Sequence, residues 1–346
     1  MRAWQTVKPG RPKDVLALNE TLPAPEPYPG TLLLEVWAAG MGLPDVFMCR
    51  GSYAMAPTIP FTQGQEVVGR VLGWGEGVED RRVGDRVMAV TSFFTGHGSY
   101  AEQCLALDDF CLPVPDAMTD AEGAAFLIPF HTAYIGLVTR GKLEAGETLL
   151  VLGGAGGTGS AAIQVAKALG ARVIATVGSP DKIDYCRGLG ADVVIDRRQD
   201  EISEVVMAAT DGKGANCVYD SVGGDAFTKA TKCIAHEGRI LAIGFASGSW
   251  GTVDTAHMVS RNYSVVGVIP SHYDRAFKEL AQQRLLGWWR DGRLQTQIEE
   301  WVPFEDLPDA LERIAASTVR GKLALQVHPE ATAPGELAVK LSNPRQ

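Results

Sequence analysis

The chain has 346 residues, 46% of them hydrophobic and 21% charged, with a net charge of −9. That is enough chain for a large core and two domains. The acidic balance argues against nucleic acid or an anionic membrane surface as a partner. Six scattered cysteines with no CxxC pair argue against a disulfide frame or a zinc knuckle. The N-terminal stretch has no apolar segment, and no run approaches the roughly 20 apolar residues of a membrane span. The expectation is a cytoplasmic protein without a membrane partner.

In chain order, the first third is strand-like. β-type runs at 31–40, 65–74 and 84–90 are separated by Pro and Gly clusters such as LPAPEPYPG at 22–30, which predicts an antiparallel, barrel-like region. The segment 120–138 reads as helix. From Leu149 an alternation begins, with apolar strands predicted at 149–152, 172–177, 193–195, 216–219, 239–243 and 263–268. Helices are predicted between them at 158–169, 181–188, 201–210, 225–234 and 254–261. Alternating β and α units predict a parallel sheet with helices on both faces, and six strands suit a doubly wound dinucleotide fold. A long helix at 272–290, a helix at 308–317 and a strand at 321–327 follow. That tail returns to complete the N-terminal domain, and residues 329–346 read as a peripheral end.

Five glycines fall within Gly153–Gly159. Gly154, Gly156 and Gly159 form GxGxxG, between a predicted strand and a predicted helix. In that context the first glycine allows a tight turn, the second a close approach of backbone to pyrophosphate, and the third close helix–strand packing. Gly157 lies in the same loop, and the helix beginning near Thr158 turns its N–H groups and dipole toward the phosphates. NAD sites place an acid about 20 residues further on to hold the ribose hydroxyls. Here Gly178 and Ser179 follow the second strand, with Lys182 beyond them and Arg197 after the third strand. This favours NADP (NADPH) over NAD. Asp181 beside Lys182 weakens the inference, and Lys182 also reads as a solvated lysine at a helix start.

With these motifs stand others in a definite order: AAGMGLPDVFMCRGSY (38–53), PFTQGQEVVGRV (60–71), GSYAEQCLA (98–106), TAYIGLV (132–138), VYDSVGG (218–224), GRILAIGFASG (238–248) and GKLALQV (321–327). Across nearly its whole length the chain resembles the medium-chain dehydrogenase/reductase superfamily, in its zinc-free NADPH:quinone oxidoreductase branch. The resemblance implies an α/β protein with a GroES-like, β-rich catalytic domain at 1–122 and 270–346. It places a doubly wound Rossmann domain with a six-stranded parallel sheet at 123–269, and an active-site cleft between the two. It also implies a homodimer, paired across a two-fold axis through 263–268.

Zinc dehydrogenases of this superfamily carry a cysteine ligand where this chain has Gly42 and a histidine where it has Gln65, so no metal site is expected. Without a Lewis acid the easier reaction is hydride transfer into a small electrophilic substrate, a quinone or an α,β-unsaturated carbonyl. Relatives line the cleft with an asparagine, an aspartate and tyrosines. Gly42 takes the asparagine position, Asp45 matches the aspartate, Phe47 takes one tyrosine position and Tyr53 matches the other. Tyr53 is the candidate donor to a substrate oxygen, with a packed tyrosine as the other reading. Asp45 serves chemistry, or holds a loop or the cofactor ribose.

His131 is a candidate proton donor or, alternatively, a packed residue. Thr132 matches a threonine that approaches the nicotinamide. Ser221, Gly244, Phe245 and Ala246 lie on loops after later strands, where backbone meets the cofactor, and Lys322 matches a residue near it. Three alternatives stay open: an enoyl-thioester reductase with Arg50 and Arg261 at the cleft mouth, a non-catalytic NADPH-binding protein, and a zinc dehydrogenase with other ligands.

Overall fold

A computed structural model describes residues 1–336. The chain divides into two compact units, one of Met1–Ile128 with the residues from Thr296 onward, the other of Pro129–Gln295. The helix Arg275–Arg290 therefore sits in the second unit, whereas the expected division at 269 and 270 gave it to the first.

The first unit is built on a six-stranded sheet. Its strand order is Ile298–Pro303, Lys322–Gln326, Thr31–Met41, Glu66–Trp74, Arg86–Thr91 and Gln103–Pro113. Thr31–Met41 pairs antiparallel with Glu66–Trp74 and also with Gln103–Pro113, which closes the sheet on itself. Alternating residues of these strands, among them Leu32, Leu34, Val36, Val67 and Val71, fill the interior, as the two-residue period of a strand requires. Gln103–Pro113 was not among the predicted strands; its central Asp108 and Asp109 interrupt the apolar alternation that marks one. A second cluster packs the helices Leu43–Cys49 and Leu307–Ala315 against the sheet through Val46, Cys49, Leu307, Leu311, Met41 and Leu323. The strand Lys322–Gln326 from the C-terminal part thus pairs into the sheet of the N-terminal part.

The second unit holds a six-stranded, all-parallel sheet. Its order is Ser264–Gly267, Ile234–Ala242, Ala215–Asp220, Thr148–Leu152, Arg172–Val177 and Val193–Asp196. The first strand in sequence lies at the centre, and the order reverses beside it, which is the doubly wound arrangement. Thr148–Leu152 is buried throughout, the mark of a strand covered on both faces. Helices Gly157–Ala168, Ile183–Gly188, Ile202–Ala209, Gly224–Thr231 and Thr255–Arg261 fall where the alternation placed them.

The expected helix over 120–138 is broken. It runs as Asp120–Ala124 and Leu127–Tyr134, followed by a wider turn at Ile135–Arg140 in which Gly141 N–H donates to Gly136 O. Pro129 has no N–H to give to Ala125, so the interruption falls at Ala125–Phe126. The expected peripheral end is partly anchored: the Thr332 N–H and hydroxyl both donate to Asp120 Oδ2 at 2.8 Å. Residues 337–346 lie outside the described part. Among the described residues no helix is long and apolar enough to cross a membrane.

Candidate active site

In the second unit the glycine loop follows Leu152 directly. Gly153 has φ +74°, a left-handed conformation that glycine adopts without strain. Its N–H donates to Thr176 Oγ1 at 3.1 Å, and the Gly154 N–H to Thr176 O at 2.9 Å. A Cβ on Gly159 would stand 2.2 Å from Gly153 O, and one on Gly154 would stand 2.8 Å from the Ala175 Cβ. Both positions therefore demand glycine. At Gly156, the N-cap of Gly157–Ala168, a Cβ would meet only Gly153 O, at 3.5 Å. The backbone at Gly156, Gly157 and Thr158 is thus open on one side, with a twelve-residue helix directed away from it. This cradle fits a pyrophosphate.

The neighbouring loops are stitched to it. Ser221 Oγ donates to Leu152 O at 3.0 Å. Asp220 Oδ1 accepts from the N–H groups of Val222 and Gly223. Gly244 N–H donates to Asp220 O, and Ala246 N–H to Ser221 O. Ser221, Gly244, Phe245 and Ala246 therefore stand with the glycine loop at the carboxyl edge of the sheet, where open α/β sheets take ligands. At the ends of the second and third strands, Arg197 is exposed. Its Nη2 lies 3.3 Å from where a Gly178 Cβ would be, which brings a cation beside Ser179. Lys182 is 8% exposed and is not the solvated lysine one reading gave.

His131 is fully buried, with Nε2 2.8 Å from Gln282 Oε1. Burial lowers its pKa to about 4, helped by the charge of Lys278 and opposed by the Gln282 hydrogen bond. The imidazole is therefore neutral and enclosed at neutral pH, with one ring N–H and no positive charge, as a packed histidine is. Its neighbour Thr132 is also buried.

In the first unit, Asp45 and Tyr53 lie at or just beyond the short helix Leu43–Cys49. Asp45 Oδ2 accepts from Gly42 N–H at 2.9 Å, which caps that helix. Burial raises the Asp45 pKa to about 6, against the lowering effects of the Tyr100 hydroxyl, the Gly42 N–H and the charge of Lys322. Asp45 is thus chiefly a structural carboxyl. Tyr53 is half-buried, its ring 6.3 Å from that of Phe93; burial raises its hydroxyl pKa and Gln65 opposes this. Lys322 bonds Glu66 Oε2 at 2.5 Å, and Glu66 Oε1 accepts from Ile128 N–H at 2.8 Å.

Glu66 and Tyr100 were not foreseen. Both are buried, and an acid in the apolar run GQEVVGRV was the one available signal for Glu66. No group of three or more His, Cys, Asp or Glu able to hold a metal exists among the described residues.

Two family models match the chain: "Alcohol dehydrogenase GroES-like domain" over residues 28–116 and "Zinc-binding dehydrogenase" over 157–285. Quinone oxidoreductase-like protein 2 of Bos taurus is 31% identical over 319 residues, covering 91% of this chain and 90% of its own. The structure of Escherichia coli quinone oxidoreductase complexed with NADPH superposes with a TM-score of 0.87 at 27% identity, covering 94% of this chain and all of the other. A phenolphthiocerol/phthiocerol polyketide synthase protein of Mycobacterium tuberculosis is 30% identical over 337 residues, which are 93% of this chain and 15% of that much longer protein.

Proposed function

The chain belongs to the quinone-oxidoreductase branch of the medium-chain dehydrogenase/reductase superfamily, and from that premise we propose that it is an NADPH-dependent, zinc-independent reductase of quinones or α,β-unsaturated carbonyls. The observation that carries the cofactor is the pairing of the open glycine cradle with Arg197 beside Gly178. Gly154, Gly156, Gly157, Thr158 and Gly159 hold the pyrophosphate on N–H groups and a helix dipole. Arg197 and Ser179 take the 2′-phosphate, because a guanidinium recognises phosphate where NAD enzymes place an acid. Ser221, Gly244, Phe245, Ala246 and Thr132 line the path of the remaining half. Bound there, NADPH supplies hydride. The name of the Escherichia coli relative, a quinone oxidoreductase complexed with NADPH, supports the same cofactor.

Zinc independence is supported by the donor set. Gly42 has no side chain to offer, and Gln65 is a poor zinc ligand beside Cys, His and carboxylates. The protein's contribution is then to orient the acceptor and polarise its oxygen, with Tyr53 as a donor. The likeness to a polyketide synthase favours a second reading, an enoyl-thioester reductase.

NADPH oxidation followed by absorbance against a benzoquinone, a naphthoquinone, a 2-alkenal, an aryl enone and crotonyl-CoA separates these, with NADH in parallel and metal content measured. Turnover of quinones or enones at substoichiometric zinc is the expected result. Turnover of the thioester alone moves the assignment to the second reading. Tight NADPH binding with no oxidation anywhere overturns both in favour of a non-catalytic binder.

We further propose a homodimer formed by the edge strand Ser264–Gly267. The adjacent helix Thr255–Arg261 buries none of its residues and leaves Val259 81% exposed. Light scattering gives the mass directly. A cytoplasmic location fits the six buried thiols.

A further inference from the structure

The first unit holds a cavity lined by none of the residues assigned to the cofactor or to catalysis. Its volume is about 310 Å³, at the small end of the range for small-molecule sites. Stretches far apart in sequence wall it: Gln5 on the strand Ala3–Thr6, the segment 22–25, the loop 58–62, and the loop 95–98 with Gln103 beyond it.

Backbone hydrogen bonds set these walls before any ligand arrives. Thr6 and Phe61 exchange both of their N–H to O bonds, at 2.9 and 3.3 Å. Thr62 N–H donates to Gly96 O, and Gly98 N–H donates to Thr62 O. The two loops meet so closely that a Cβ on Gly98 would stand 2.3 Å from Gln63 O, so glycine is required there. A preformed cavity spares its ligand the cost of ordering the site.

The lining side chains are uncharged. None of them, among the described residues, is an acid, a lysine or an arginine. His97 is half-buried, and burial lowers its pKa from 6.5, so the ring is neutral at neutral pH. The Met1 ammonium is the one charge in the lining, and it donates to Leu22 O at 2.7 Å. The polar side chains include the His97 ring, the Gln103 amide and the Thr62 hydroxyl. Thr62 is 2% exposed, and its hydroxyl meets no partner among the described residues. A buried hydroxyl without a partner costs free energy until something satisfies it. Pro23, Pro25, Pro60 and Phe61 add flat apolar surface to the same cavity.

We propose that this cavity is a binding site for a neutral aromatic molecule of one or two rings that carries a hydroxyl or carbonyl group. The ring lies against the proline and Phe61 surface, and the hydroxyl or carbonyl takes its partners from Thr62, His97 and Gln103. A carboxylate is disfavoured, because it would shed its water and find no guanidinium and no lysine to replace it. The site is complete within the first unit and does not depend on the reductase reading.

The test uses the full-length protein with ring-labelled histidine, and follows the six imidazoles by NMR as 2-naphthol is added. The His97 signals are identified by their loss in His97→Gln. They are expected to shift saturably, with one molecule bound per chain and a Kd on the order of 1 mM or below. The carboxylate 2-naphthoate should bind at least 10-fold more weakly. Thr62→Val and Gln103→Leu should each weaken 2-naphthol by about 5-fold, the usual worth of one hydrogen bond. Ala24→Trp changes an exposed residue of the lining, so it leaves the fold intact, fills the cavity and should abolish the shift. It decides the matter if the other variants do not fold. No saturable shift at His97, naphthoate binding as tightly as naphthol, or an undiminished shift in Ala24→Trp overturns the proposal.

Discussion

Two buried titratable residues have opposite effects on stability. Burial holds Asp45 up at about 6 from an ordinary 3.8. The folded state therefore binds this proton more tightly than the unfolded state between those values, and the contribution of Asp45 to stability falls as pH rises through that window. Burial holds His131 down at about 4 from 6.5, so its contribution is full above 6.5 and is lost as pH falls toward 4. Each shift corresponds to on the order of 3 kcal/mol. Asp45→Asn, which can still cap Gly42, should gain stability relative to wild type as pH rises from about 4 to 6. His131→Gln should gain relative to wild type as pH falls below about 6.5. Denaturant titrations across this range measure both, and parallel pH profiles for variant and wild type would refute the assignments. Of these two, neither environment was legible in the sequence. A histidine before a threonine and an aspartate after a proline carry no sign of what packs over them.

At the scale of an element, the glycine loop and the strand–helix unit around it were fully legible. The reason is local: the turn, the cap and the open backbone depend on residues within a few positions of one another. Gly159→Ala should abolish NADPH binding, because its Cβ would collide with Gly153 O, and nucleotide fluorescence titration checks this. Undiminished affinity would mean the cradle is not the site. The helix Asp120–Ala124 shows the same locality. Thr119 Oγ1 accepts from Glu122 N–H, and Glu122 Oε2 accepts from Thr119 N–H, a reciprocal cap. Thr119→Ala should cost about 1 kcal/mol in denaturant unfolding. The break after Ala124 was missed because apolar periodicity continues through it, and only the absent N–H of Pro129 marks it.

For the whole molecule, the first unit is assembled from both ends of the chain. Trp4 Nε1 donates to Phe304 O, and Arg2 pairs with Glu305. Asp120 joins Arg86 through Oδ1 to Thr332 through Oδ2. Arg86 also donates to the carbonyls of Pro115 and Met118. Asp120→Ala leaves a largely buried guanidinium without its counter-charge and should cost about 3 kcal/mol. It should also speed proteolysis near Thr332. An unchanged unfolding midpoint and cleavage rate would show that this junction does not hold the C-terminal segment.

By itself the sequence determined the alternation of strand and helix, the parallel sheet with its order reversal, the nucleotide cradle and the family. All of these are written in short-range periodicity and in residues close along the chain. Only the tertiary structure decided which side chains share a site. Lys322 and Glu66 are 256 positions apart and meet because strand register carries one end of the chain onto the other. His131 is enclosed because a helix 151 positions away meets it through Gln282. Burial and charge are properties of what surrounds a residue in space, and spacing along the chain does not encode them.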